Sequence, residues 1–108
     1  MRVAVTGGSG AIGTYVCDEF ARAGHDVVSL DRVPPTKAVG FSEVDFRDLA
    51  QTCAALTNFD QVVHLAAIPD RYSDPPVEVI SVNTAINYTV FEALRLNILP
   101  DLIKARAN

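Results

Sequence analysis

VTGGSGAIG, Val5 to Gly13, decides how the rest of the chain is read. Four glycines within the seven residues from Gly7 to Gly13 suit neither a strand nor a helix. Yet a β-branched run, Arg2 to Thr6, comes directly before them. Apolar residues at helical spacing, Ile12, Tyr15, Val16 and Phe20, come directly after. A glycine loop in that position has a physical purpose. Without Cβ atoms the chain turns sharply, and its N–H groups can approach a pyrophosphate. The helix that follows aims its own unpaired N–H groups and the positive end of its dipole at the same point. The glycines meet two spacings together, Gly8-x-Gly10-x-x-Gly13 and Gly7-x-x-Gly10-x-x-Gly13. Between strand and helix that pattern marks a dinucleotide cradle. The competing reading is an ordinary glycine-rich turn with no ligand.

Outward from the loop, strands and helices alternate. The first helix runs from Ala11 to Ala23 and stops at Gly24. HDVVSL, closing on Asp31, is a second strand, and Pro34 and Pro35 make the next stretch a loop. FSEVDF, 41–46, is a short third strand, and Asp48 to Leu56 a helix. DQVVHLAA, 60–67, is apolar enough for a fourth strand buried on both faces. A proline-punctuated loop, 68–76, leads to a long helical pattern from Val77 to Leu96. This order predicts an α/β Rossmann-type fold, a doubly wound parallel sheet of four to five strands, in a single domain over 1–108. Residues 97–108 form an atypical tail, in which Leu102 to Ala105 reads equally as a fifth strand or a frayed helix.

An acidic residue is expected about 20 residues past the glycines, where it would hydrogen-bond the adenosine ribose. Asp31 stands there. A carboxylate at that point repels a 2′-phosphate, which favours NAD over NADP, while the neighbouring Arg32 pulls the other way.

The bulk numbers close off other classes. With 108 residues and a net charge of −4, the chain has no electrostatic footprint for nucleic acid or an acidic membrane. No apolar run approaches the roughly 18 residues that span a bilayer, and the N-terminus lacks a signal peptide's apolar region. Cys17 and Cys53 have no CxxC or His-spaced partner. They are expected to pack as small apolar residues in a reducing cytoplasm, with no metal site.

VTGGSGAIG, LDR, VDFRD, HLAA and VNTAINYTVFEAL, in this order and spacing, resemble the N-terminal part of the extended short-chain dehydrogenase/reductases, and most of all their NAD-dependent epimerase/dehydratase branch of the nucleotide-sugar type. The likeness covers roughly residues 1 to 96. It implies that Gly7, Gly10 and Gly13 are the family's glycines, that Ala11 and Ile12 cover the pyrophosphate, and that Asp31 and Arg32 meet the ribose. It places Asp45 and Phe46 beside adenine, and Leu65, Ala66 and Ala67 along the cofactor. Asn83 becomes a structural link to the fourth strand. Bland readings compete: Asp45 as a helix cap, His64 as a hydrogen-bonded core residue, Tyr88 as packing, and Arg71 and Tyr72 as solvent-facing loop residues.

In the resembling enzymes a Tyr-x-x-x-Lys pair moves the proton while the nicotinamide moves the hydride. Four residues past Tyr15 is Glu19, past Tyr72 is Pro76, and past Tyr88 is Glu92. None fits, and Ile86 stands where relatives commonly have glycine. The expectation is therefore a truncated, catalytically incomplete member that binds NAD and self-associates through an uncovered sheet edge or has that edge covered by its tail. The alternative is a non-catalytic dinucleotide sensor or interaction module.

Overall fold

Alternation along the first strand sets the layers of the molecule. In the structure, a computed structural model describing residues 1–68 and 75–107, Val3 and Val5 point to one face of the sheet and Ala4 to the other. The elements are β1 (Arg2–Thr6), α1 (Ala11–Arg22), β2 (Asp26–Asp31), β3 (Gly40–Glu43), α2 (Leu49–Ala55), β4 (Gln61–His64) and α3 (Pro76–Ala107). The four strands form one parallel sheet in the order β3-β2-β1-β4, so the doubly wound architecture holds with four strands.

One face carries α1, where Val3, Val5, Val27 and Cys17 cluster with Val16 and Phe20. The other carries α2 and α3, where Ala4, Leu30, Val44, Phe46, Leu56, Ile86, Val90 and Ala93 form the larger core. Burying such aliphatic side chains contributes roughly 1.5–3 kcal/mol each. Both cysteines are free thiols, Cys17 buried and Cys53 packed against the larger cluster.

Two expectations need correction, and one open reading is decided. The third strand is Gly40–Glu43 rather than 41–46, because its partner β2 ends at Asp31, whose carbonyl takes the last ladder bond from the Val44 N–H at 3.0 Å. β4 is only half-buried, since it pairs with β1 alone and lies outermost in the sheet. Of the two readings of Leu102 to Ala105, the helical one holds over the strand: α3 continues as helix through Ala107. Leu102, Lys104, Ala105, Arg106 and Ala107 are all strong helix formers. Asn97 ties this stretch to α2, donating to the Cys53 carbonyl at 3.2 Å.

Candidate functional site

After β1 the chain winds to β2 and β3 on one side, then crosses to β4 on the other. The carboxyl ends of β1 and β4 therefore flank a topological switch point, where open α/β sheets hold ligands. The register sets Thr6 level with Leu30 of β2 and His64 of β4. The glycine loop leaves β1 at that point.

The loop's glycines are needed for different reasons. Gly7 has φ +70°, and a Cβ there would lie 2.9 Å from the Ala66 main chain. A Cβ on Gly13 would overlap the Gly7 carbonyl oxygen. These two serve the fold. Gly10 is extended (φ −79°, ψ −178°), a conformation any residue adopts. A Cβ on it would meet only the Gly7 carbonyl, at an ordinary 3.4 Å. Nothing in the protein demands glycine there, so the space is free for a ligand.

Gly10 is also the N-cap of α1, and no side chain caps that end or places an acid in its first turn. The first-turn N–H groups are thus left for an anion. Ala11 and Ile12 lie exposed beside them. Asp31, at the end of β2, accepts the Ser9 N–H at 3.1 Å on one oxygen and the Arg32 N–H at 2.6 Å on the other. The loop and the Asp31 carboxylate are in direct contact. Ser9 and Ser29 hydroxyls meet at 2.9 Å beneath them.

Beyond Asp31 a recess of about 400 Å³ is lined by Arg32, Glu43, Val44, Asp45 and Gln51. The Arg47 main-chain N–H (3.0 Å) and then its guanidinium (3.2 Å) hold the Asp45 carboxyl below its usual range. Asp45 does not cap α2. Asp48 does, accepting the Gln51 N–H at 3.0 Å, and Gln51 in turn accepts the Asp45 N–H at 2.7 Å. The Phe46 ring is buried in the core, which leaves only its main chain to reach a ligand.

Leu65, Ala66 and Ala67 follow β4 directly. Their main chain is drawn to β1 by Thr6, whose hydroxyl oxygen accepts the N–H groups of Leu65 (3.0 Å) and Ala66 (3.1 Å). Asn83 links α3 to this segment through both ends of its amide, with Ile68 N–H at 2.7 Å and the Ile68 carbonyl at 2.9 Å. His64 uses both ring nitrogens, toward Thr6 (2.6 Å) and Asn87 (2.8 Å). It is hydrogen-bonded as expected, though only half-buried. Tyr88 departs from its packing assignment: its side chain is exposed. Arg71 and Tyr72 lie outside the described residues.

Sequence reasoning missed Ser9, Gln51 and Asn87. The signal for Ser9 was its place between Gly8 and Gly10. Gln51 and Asn87 carry none, because their roles depend on which loop and strand end lie opposite. Among the described residues no cluster of His, Cys, Asp and Glu could hold a metal, and no helix is long and apolar enough to cross a membrane.

The sequence model described as the NAD dependent epimerase/dehydratase family matches residues 3–106. A UDP-glucose 4-epimerase of Lacticaseibacillus casei is 35% identical over 106 residues, covering 87% of this chain and 31% of that protein. A 3-beta-hydroxysteroid dehydrogenase of Mycolicibacterium neoaurum is 36% identical over 77 residues, covering 64% and 20%. Among solved structures, the Thermus thermophilus UDP-glucose 4-epimerase in complex with NAD superposes with a TM-score of 0.77 at 33% identity, over 90% of this chain and 34% of that one. The chain spans about a third or less of the length of each.

Proposed function

Because this chain belongs to the NAD dependent epimerase/dehydratase family, we propose that residues 1–108 are a single dinucleotide-binding domain of an epimerase or dehydratase acting on a nucleotide sugar. The observation that carries the reading is the uncapped start of α1 at Gly10, where the fold itself has no use for glycine. Gly7, Gly10 and Gly13, with Ala11 and Ile12, hold the pyrophosphate, and Asp31 takes the ribose hydroxyls. Asp45 and the Phe46 main chain lie at adenine. Leu65, Ala66, Ala67 and Asn83 line the way toward the nicotinamide. NAD is the cofactor, disfavouring NADP, because Asp31 would face the 2′-phosphate; Arg32 weakens that preference without reversing it.

Bound NAD supplies the hydride acceptor. This stretch supplies binding and orientation, and with no Tyr-x-x-x-Lys in its 108 residues we assign it no catalytic residue and no turnover of its own. Nucleotide sugars are favoured because UDP-sugar epimerases recur among the relatives and the solved structures. Two free thiols fit a reducing compartment such as the cytoplasm. The domain self-associates through the outer edge of β4, which no other strand covers among the described residues, and through the adjoining exposed face of α3.

Calorimetric titration tests the reading. NAD and ADP-ribose should both bind, and no heat with either would sink it. Asp31→Ala should weaken NAD more than NADP; an unchanged preference would remove Asp31 from the ribose.

A further inference from the structure

We propose that His64 is a positioning residue of the cradle, held as the Nε2–H tautomer between Thr6 and Asn87 so that the Thr6 hydroxyl keeps its acceptor sites turned to Leu65 and Ala66. The proposal rests on the loop being a dinucleotide site. A hydroxyl has one proton and two lone pairs. The Thr6 hydroxyl oxygen already faces two N–H groups, Ala66 at 3.1 Å and Leu65 at 3.0 Å, the latter shared with the Thr6 carbonyl at 3.1 Å. The 2.6 Å contact with His64 Nδ1 must therefore use the hydroxyl's own proton. That makes Nδ1 a bare acceptor and puts the ring proton on Nε2, which donates to Asn87 Oδ1 at 2.8 Å. The Phe91 ring stands edge-on to the imidazole, with centroids 5.8 Å apart, and restricts its rotation.

The consequence reaches the ligand through the next residue. Gly7 follows Thr6 and lies so close to Ala66 that a Cβ would come within 2.9 Å of its main chain. The Thr6 hydroxyl thus sets the spacing between the glycine loop and the segment after β4, the two walls of the crevice. A proton on Nδ1 would compete for the hydroxyl's lone pairs, and the Leu65 N–H would be left to the Thr6 carbonyl alone. An exposed asparagine on α3 in this way helps fix the geometry of a loop on the far side of β4.

The test uses the 108-residue protein, with two-bond 1H–15N correlation of the histidine ring nitrogens and calorimetric titration with NAD. In the wild type the His64 signals should show Nδ1 bare and Nε2 protonated. His64→Leu leaves the Thr6 hydroxyl without its acceptor and should weaken NAD binding about 5- to 10-fold, the loss of one buried hydrogen bond. His64→Gln offers an amide oxygen to Thr6 and should stay within about twofold of wild type, as should Thr6→Ser. Asn87→Leu, at an exposed position that leaves the core intact, should shift the Nε2 resonance and weaken NAD about 2- to 3-fold. A protonated Nδ1 in a wild type that binds NAD overturns the positioning role alone. So does a His64→Leu protein that binds NAD as the wild type does, or a His64→Gln protein that loses as much affinity as His64→Leu. A wild type that takes up neither NAD nor ADP-ribose overturns the dinucleotide reading and the positioning role with it, whatever the ring nitrogens show.

Discussion

Strands β1 and β4 lie side by side in one sheet, yet they are finished to different degrees. Val3, Ala4, Val5 and Thr6 have no exposed surface at all, whereas no residue of β4 is fully buried. The helices repeat the contrast. α1 sets Cys17 into a closed apolar cluster with Val3, Val5 and Val27 and exposes two large apolar side chains, Ile12 and Tyr15. α3 buries Ile86, Val90 and Ala93 but also carries Val77, Ile80, Tyr88, Phe91 and Ile98 on exposed positions. Their spacings of three, seven and eight residues, close to whole helical turns, gather them on one face. Gly8, Gly13 and Cys17 are all buried, so the shape of the glycine loop and its junction with α1 is set by packing within the first 31 residues. The β4 side has surface left to bury.

The sharpest way to break this comparison is to crowd the closed side. Gly13→Ala forces a Cβ into the Gly7 carbonyl, and neither backbone can move without opening the turn. It should destabilise the protein by about 3 kcal/mol and abolish NAD binding; a melting temperature within a degree or two of wild type would show the loop to be looser than its contacts indicate. Gly10→Ala is the informative partner, because its Cβ meets protein at only 3.4 Å. Stability should change by less than about 0.5 kcal/mol, while NAD affinity falls about tenfold or more as the methyl meets the pyrophosphate. Equal affinity in the two proteins would leave Gly10 without a ligand to explain it. On the open side, Ile80→Ser with Phe91→Ser removes two exposed apolar side chains (68% and 62% exposed). Light scattering should then report a monomer at concentrations where the wild type associates, with stability lower by about 1 kcal/mol as the Phe91 ring leaves the His64 imidazole. A wild type that is monomeric throughout would mean that this face is not covered by a second copy.

What the sequence made legible follows the same divide. On the closed side, periodicity and glycine spacing placed β1, the loop, α1, β2 and Asp31, because each signal is local: Gly13 must be small where helix meets loop, and Asp31 ends an apolar run. On the open side, local signals fail. DQVVHLAA reads the same for an inner strand as for an outer one, and only strand order decides which it is. Asp45 and Asp48 both precede α2, and which caps it depends on the turn closed by Asp48 N–H to the Asp45 carbonyl at 3.0 Å. Tyr88 shares a helix with buried Thr89 and Val90, so one step of rotation separates packing from exposure. Thr6, His64 and Asn87 meet only because β4 crosses to the far side of β1.

The smallest effect expected is a pH dependence that again separates the two sides. Cys17 is 2% exposed, and burial pushes its thiol above the ordinary value. The unfolded chain therefore ionises at this residue before the folded one. Its contribution to stability is complete below the unfolded thiol pKa of about 8.5 and is lost as pH rises toward the folded value. The slope cannot exceed about 1.4 kcal/mol per pH unit for one proton. Cys17→Ala removes that slope and leaves a small cavity, which costs about 1 kcal/mol at neutral pH. Denaturant titrations of wild type and variant at about pH 7 and about pH 9.5, on either side of the ordinary thiol pKa, should show the gap between them narrowing at the higher pH, since only the wild type carries the thiol. A gap that stays constant would mean that the Cys17 thiolate is as well accommodated in the folded protein as in the unfolded chain, and that the α1 face is less closed than its packing indicates.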